Sequence, residues 1–319
     1  MAIVHVVSVS GGKDSLATLL LCLARFPRSR IDPIFCDTDN EHEAVYEYLT
    51  QLEKWLGIKI RRLKADFTEE IKRKRDYIAR DTRNTRVYEK VPKTDKHGAV
   101  IYKRRSDGTP ELDLIWTRSG WDVVGIPKLK KAHGKKARWT NKAKRRALAV
   151  LFPTGNAFLD LCLMKGRFPS RKAQFCTERL KRDLAVEYQL DLMEAGHTVI
   201  SWQGIRRDES ENRRLAAKIE RLAPQMFIYR PIVEWTASDV FDYCASRCIE
   251  PNPLYRQGMS RVGCMPCINV QKGELRTIAV RFPGHIAKIS QWETAVGNAS
   301  KRGFATFLTR SEEHTSELQ

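Results

Sequence analysis

Residues 4–15 constrain this chain more than any other stretch. Val4, Val6, Val7 and Val9 form a short β-branched, apolar run suited to a buried parallel strand. The run ends at Ser10-Gly11-Gly12, where two residues without Cβ let the backbone turn sharply and approach a ligand closely. Leu16, Leu19, Leu20 and Leu23 then recur at helical spacing. A strand, a glycine turn and a helix N-terminus in that order build an anion site, because free N–H groups and the helix dipole meet there. Lys13 adds a mobile positive charge, and Ser10 and Ser15 add hydroxyl donors. Val7 and Asp14 stand where a Walker A loop requires Gly and Ser or Thr, and the G-x-G-x-x-G fingerprint is absent too.

The order continues as strand, helix, strand. Ile31 to Cys36 reads as a second strand that delivers Asp37, Thr38 and Asp39 to its carboxyl end, where α/β ligands bind. Asp37 suits a metal or a ribose hydroxyl there, and Asp39 or Asn40 suits the N-cap of the next helix. Ala44, Tyr48, Leu52 and Trp55 keep helical spacing up to Gly57, and Ile58 to Leu63 alternates as a third strand. Thr198 to Trp202 and Ile228 to Val233 supply a fourth and a fifth. The expected fold is a doubly wound α/β sandwich on a five-stranded parallel sheet.

At 319 residues with a net charge of +19, the chain is long enough for an ample core and basic enough to favour polyanionic partners. Residues 83–150 read as a basic insertion in a domain spanning 1–309. Between Lys128 and Arg146 lie ten Lys or Arg and no acid, with Trp116, Trp121 and Trp139 placed to stack on bases. A nucleic-acid backbone is the partner that this run (128–146) would track, and a solvated basic loop is the equal alternative. No stretch is long and apolar enough to cross a bilayer, and nothing resembles a secretory signal, so a cytoplasmic protein is expected. Arg310 to Gln319 resembles the translation of a sequencing adapter and is set aside as an artefact, with the natural C-terminus expected beyond Thr309.

Eight cysteines in a chain of this size point to metal or redox chemistry rather than a disulfide framework. Cys264-x-x-Cys267 presents two thiols toward one centre, and Cys176 makes a third ligand. Three ligands on an iron–sulfur cluster leave one iron open. Cys244 or Cys248 would close the set as a fourth, zinc is the less favoured metal, and an unmetallated dithiol is the alternative. Arg179, Lys181 and Arg261 are charges suited to stabilising thiolates. Gly204, Arg206 and Glu209 follow the fourth strand, with Arg206 as a bidentate phosphate clamp that Glu209 would orient.

Taken in order, these motifs resemble the phosphoadenosine phosphosulfate (PAPS) reductase family of the PP-loop, adenine-nucleotide α-hydrolase-like superfamily. The resemblance rests on Ser10 to Ser15, Asp37-Thr38, Cys176-x-x-x-Leu180-Lys181, Gly204-x-Arg206-x-x-Glu209-Ser210, Pro231-Ile232-x-x-Trp235, Asn252-Pro253-Leu254-Tyr255 and Arg261-x-Gly263-Cys264-x-x-Cys267. It implies an adenine nucleotide (ATP, PAPS or its 5′-phosphosulfate analogue APS) held by Ser10, Gly11, Gly12, Lys13, Asp14, Ser15, Asp37, Thr38, Gly204, Arg206 and Glu209. Lys13 and Arg206 are then the catalytic charges, with Mg²⁺ on the phosphates and a [4Fe–4S] cluster on Cys176, Cys264 and Cys267. The intact loop from Ser10 to Ser15 resembles ATP-using relatives, whereas reductases of the family usually carry a degraded one. Cluster-bearing reductases have adjacent paired cysteines where this chain has Cys176 alone, and their catalytic cysteine lies in a C-terminal tail. The readings open at this point are ATP-dependent activation in sulfur chemistry, PAPS or APS reduction, and a non-catalytic nucleotide-gated nucleic-acid binder.

Overall fold

The structure, a computed structural model, describes residues 2–81, 92–117, 120–130 and 139–308. A central sheet carries strands β1 (Ile3–Ser8), β2 (Ile31–Asp37) and β3 (Arg61–Lys64). After a two-stranded antiparallel hairpin of β4 (Leu112–Thr117) and β5 (Gly120–Pro127), it resumes with β6 (Thr198–Trp202), β7 (Ile219–Ala223) and β8 (Met226–Tyr229). Its order is β3-β2-β1-β6-β8-β7, parallel except for β7, which pairs antiparallel with β8. The expected parallel five are therefore present, and β7 adds a sixth strand at the edge. Ile219–Ala223 reads IERLA, with neither clean alternation nor a long apolar run to mark it as a strand. The fifth strand ends at Tyr229, before Pro231, and Ile232 and Val233 are buried beyond it.

Helices cover both faces. On one side, α1 (Lys13–Arg25), α2 (Glu43–Leu56) and α8 (Ala237–Ser246) bury Leu16, Leu19, Leu49, Leu52 and Val240 against Val7, Phe35 and Trp202. The opposite face buries Val6, Ile34 and Val199 against a helix that starts as α6 (Phe175–Thr177). It passes through a π-helical turn (Glu178–Arg182) and continues as α7 (Asp183–Glu194). Val6 and Val7 thus face different cores, as alternation along a strand requires. A second helical core gathers Ile71 and Ile78 of α3 (Thr68–Arg80) with Ala143 and Ala147 of α4 (Asn141–Val150). Leu161 of α5 (Ala157–Lys165) and Trp292 of α10 (Pro283–Ala299) complete it, while α9 (Lys272–Arg281) sends Ile278 to the first core.

The basic segment is therefore not uniformly irregular. Residues 92–112 and 127–130 form a ladder, in which Lys103 and Ile101 donate backbone bonds to Lys128 and Lys93. Its far end, α4, packs into the helical core with Trp139 only 5% exposed, so Trp139 is a core residue rather than a free stacking platform. The side chains of Trp116 and Trp121, and residues 131–138 of the basic run, lie outside the described residues, as do 310–319.

Candidate functional site

The strand order reverses between β1 and β6, so the loops at the carboxyl ends of those two strands open on the switch-point crevice. The Ser10–Ser15 turn sits in one loop and Gly204 to Glu209 in the other. Gly11 lies at φ +76°, and a Cβ there would meet Val45 Cγ1 at 2.9 Å, so glycine is required twice over. The Ser15 hydroxyl donates to the Gly12 carbonyl at 2.9 Å and accepts the Ser10 N–H at 3.0 Å. The Lys13 N–H donates to the Tyr255 hydroxyl at 2.9 Å, and its ammonium lies 5.8 Å from the ring centroids of Phe241 and Tyr255.

Asp14 joins the two loops. Its carboxylate accepts from Lys13 Nζ at 3.0 Å and from Arg206 Nε at 2.5 Å, while Arg206 Nη1 reaches Asp208 at 2.5 Å. Arg206 is 4% exposed and Lys13 9%, so both charges are held in a nearly dry crevice. Gly204 seals the junction: a Cβ there would lie 2.8 Å from the Asp14 carbonyl carbon and oxygen. The structure thus brings Ser10 to Ser15, Gly204 and Arg206 together. Glu209 does not hold the Arg206 guanidinium; Asp14 and Asp208 do, and Glu209 pairs instead with Arg213 and with Arg261 at 3.4 Å. Glu209 was expected to orient Arg206, but Arg206 is extended (φ −120°, ψ 143°) and its guanidinium turns to Asp14 and Asp208. Tyr255 closes a motif read in the sequence but had no role there, because it meets Lys13 from 242 positions away, and Asp208, two residues from Arg206, was passed over for Glu209.

A second cluster lies beside the end of β2. Cys264 pairs across an isolated bridge with Glu41, and the Met265 N–H donates to the Asn40 carbonyl at 2.7 Å. Cys264 Sγ lies 3.5 Å from Thr38 Oγ1, 3.5 Å from Glu41 Oε1 and 3.7 Å from Lys181 Nζ. Burial pushes the Cys264 thiol up to about 12, with Lys181 pulling the other way and Glu41 adding to the rise. Cys264, then Glu41 and the other two thiols, hold Lys181 above its ordinary value against the opposing effect of burial. Burial, then Cys267, also raises Cys176. Cys267 thus bears on both Cys176 and Cys264, and Lys181 is the cation that acts on both.

Several expectations for this cluster change. Arg179 pairs with Glu70 and Asp183, and Arg261 with Glu209, so Lys181 is the cation that meets a thiol. Cys244 is buried in the core under α1, and Cys248 is exposed beyond the end of α8; neither joins the three as a fourth. The fully buried Cys162 is the additional thiol that feels Cys176. Asp37 accepts from the Tyr46 hydroxyl at 2.7 Å and from the Asp39 N–H at 2.9 Å. Thr38 bonds Glu41 at 2.9 Å. His42, not Asp39 or Asn40, caps α2, because Asp39 at φ +58° turns to accept the Ala157 N–H and Asn40 reaches the Pro266 carbonyl.

Among the described residues, no helix is long and apolar enough to cross a membrane. The chain is 40% identical over 310 residues to an uncharacterized 37.8 kDa protein of Escherichia phage 186, spanning 96% of this chain and 79% of that one. An uncharacterized protein of Methanocaldococcus jannaschii is 25% identical over 279 residues, 87% of this chain but only 38% of its own length. The adenosine 5′-phosphosulfate reductase of Geobacillus kaustophilus is 33% identical over 103 residues, 30% of this chain and 44% of that enzyme. A PAPS reductase structure from Candida auris superposes with a TM-score of 0.41 and 12% identity, covering 84% and 83% of the two chains. The phosphoadenosine phosphosulfate reductase domain model matches residues 4–270, and the chain with its mostly parallel α/β sheet belongs to that family.

Proposed function

We propose that this chain binds ATP across the β1/β6 crevice and activates an acceptor by adenylation within sulfur chemistry. The observation that carries the reading is the pair of cations, Lys13 and Arg206, converging on Asp14 at a strand–glycine–helix turn. A triphosphate there would compete with one carboxylate for both charges while the helix N-terminus faces the phosphates. Asp14 then suits a Mg²⁺ that keeps most of its waters. An acceptor oxygen attacks the α-phosphorus, its bond to the bridging oxygen breaks, and pyrophosphate leaves with its charge stabilised by Lys13 and Arg206. Ser10 and Ser15 would orient the phosphates, and Asp37 and Thr38 face the same end of the sheet.

Cys176, Cys264 and Cys267 would hold a [4Fe–4S] cluster, which supplies an open iron for exogenous sulfur. A single zinc fits them less well. Tetrahedral thiolates around zinc stand roughly 3.8 Å apart, and among the described residues no set of three thiols comes within 4.8 Å of one another. The basic run 128–146 would be the surface that a nucleic-acid acceptor lies on, with its start, residues 128–130, held in the ladder with 92–112.

Pyrophosphate or AMP release from ATP, alone and with added RNA or DNA, tests this reading, with Lys13→Ala expected to abolish it. Release that is unaffected by Lys13→Ala would overturn it. The second reading, reduction of APS or PAPS, draws on the likeness to adenosine 5′-phosphosulfate reductases over about a third of the chain. Thiol-dependent sulfite release without ATP consumption would favour it. Salt-sensitive nucleic-acid binding that survives Lys13→Ala, with neither turnover, would leave a binding protein.

A further inference from the structure

Behind the Cys264–Cys267 turn, two histidines and a glutamate converge from two elements distant in sequence. His42 and Glu43 open α2, and His285 lies in the first turn of α10. His285 Nε2 stands 3.4 Å from Glu43 Oε2, and His42 Nδ1 stands 3.8 Å from the same oxygen. One donor atom from each residue falls within 4.8 Å of the other two. The imidazoles stack with centroids 5.0 Å apart and planes 19° apart, and the Phe282 ring meets His42 edge-on at 4.6 Å.

We propose that His42, Glu43 and His285 form a divalent transition-metal site of the zinc class, separate from the thiol cluster. The spacing selects the ion. Metal–ligand bonds of 2.0–2.1 Å set tetrahedral neighbours roughly 3.3 Å apart and octahedral ones roughly 2.9 Å apart, and the 3.4 and 3.8 Å separations sit nearer the tetrahedral edge. Two imidazoles and one carboxylate suit zinc, whereas Mg²⁺ and Ca²⁺ take oxygen ligands. The ring of His285 is already oriented for ligation. Its Nδ1 lies 3.2 Å from the Met265 carbonyl, so in the neutral ring that donates there the Nε2 lone pair is the one turned toward Glu43. Glu43 is largely exposed, so the fourth position opens to solvent.

His42 is the ligand that must change partner. Its Nδ1 accepts the Ala44 N–H at 3.0 Å as the cap of α2, so metal binding trades that hydrogen bond for a metal–nitrogen bond. Because Met265 lies inside the Cys264-x-x-Cys267 turn, the ion would clamp the starts of α2 and α10 against the loop that carries two of the thiols. The ion would bind with or without a nucleotide in the β1/β6 crevice.

Cobalt(II) titration of the full chain is the test, because the two candidate sites differ in colour. The His–Glu site gives tetrahedral d–d bands with no sulfur-to-cobalt charge transfer, and any thiol-bound cobalt adds that band. Glu43→Gln and His285→Gln are expected to weaken the sulfur-free component by at least the roughly 10–100-fold that follows loss of an outer-shell partner. Cys264→Ser should leave that component in place. Zinc should displace the cobalt and Mg²⁺ should not, and zinc should speed hydrogen exchange at the Ala44 amide. Glu43→Gln alters an exposed side chain, so a loss there is not an unfolding effect. Cobalt spectra that always carry the sulfur band, an affinity indifferent to Glu43→Gln, or no uptake of the metal would each overturn the site.

Discussion

Gly204→Ala tests the junction on which the nucleotide crevice depends. Gly204 is not at positive φ, so alanine meets no backbone penalty and the perturbation is one methyl group. That methyl would lie 2.8 Å from both the carbonyl carbon and oxygen of Asp14 and 3.0 Å from the Ser15 nitrogen, inside an ordinary contact limit of 3.4 Å. All three atoms belong to the backbone where α1 begins, and they cannot rotate away as a side chain would. Either the β6 loop or the first turn of α1 must retreat by several tenths of an ångström. Overpacking of this kind costs about 1–3 kcal/mol, and the shift separates Arg206 from Asp14. Urea unfolding should show that loss, and equilibrium binding of ATP should weaken by at least the roughly tenfold that 1.4 kcal/mol represents. Gly273→Ala is the control: it lies in α9 with open space around its Cβ, and is expected to be neutral or to stabilise by about 0.5–1 kcal/mol. A Gly204→Ala protein within about 0.5 kcal/mol of the parent, with unchanged ATP affinity, would refute both the packing and its link to the site.

Arg206→Lys keeps the charge but loses the fork that engages Asp14 and Asp208 together, and should destabilise by about 1.5–3 kcal/mol while weakening ATP binding. Lys74 carries a stability signature in pH. Burial, then repulsion from Lys301 and Lys165, lowers it to about 8, below its unfolded value near 10.4. The folded state therefore binds fewer protons than the unfolded chain between those values, and stability rises with pH across that window, by about 2–3 kcal/mol from this group. Unfolding measured from pH 7 to about pH 10 should lose that share of the rise in Lys74→Met; an unchanged slope would contradict it. Thr236→Ala removes one half of the capping box with Asp239 at the start of α8 and should cost about 1 kcal/mol by thermal unfolding.

Local chemistry made much of the fold legible. The valine run, the glycine turn and the leucine spacing that follow one another from Val4 to Leu23 fold as a strand, a loop and a helix. Gly57 and Gly166 end α2 and α5 in the left-handed conformation, and Thr236 caps α8. Such features depend on residues within one or two turns of each other. The edge strand β7 did not read as a strand because its outward side chains, Ile219 and Leu222, are exposed and impose no pattern. The segment before Val150 read as loop because α4 buries small residues, Ala143 and Ala147, whose periodicity is faint.

By itself, the sequence determined the parallel α/β class, the phosphate-sized turn and the identity of the charges and thiols around it, since each is written in short-range spacing. Tertiary structure alone decided which of them meet. Asp14 joins Lys13 to Arg206 across 192 positions, Cys264 settles against Lys181 across 83, and His285 reaches Glu43 from another helix. Those pairings follow from strand order and helix packing, which bring distant loops to one end of the sheet, and no local periodicity records that closure.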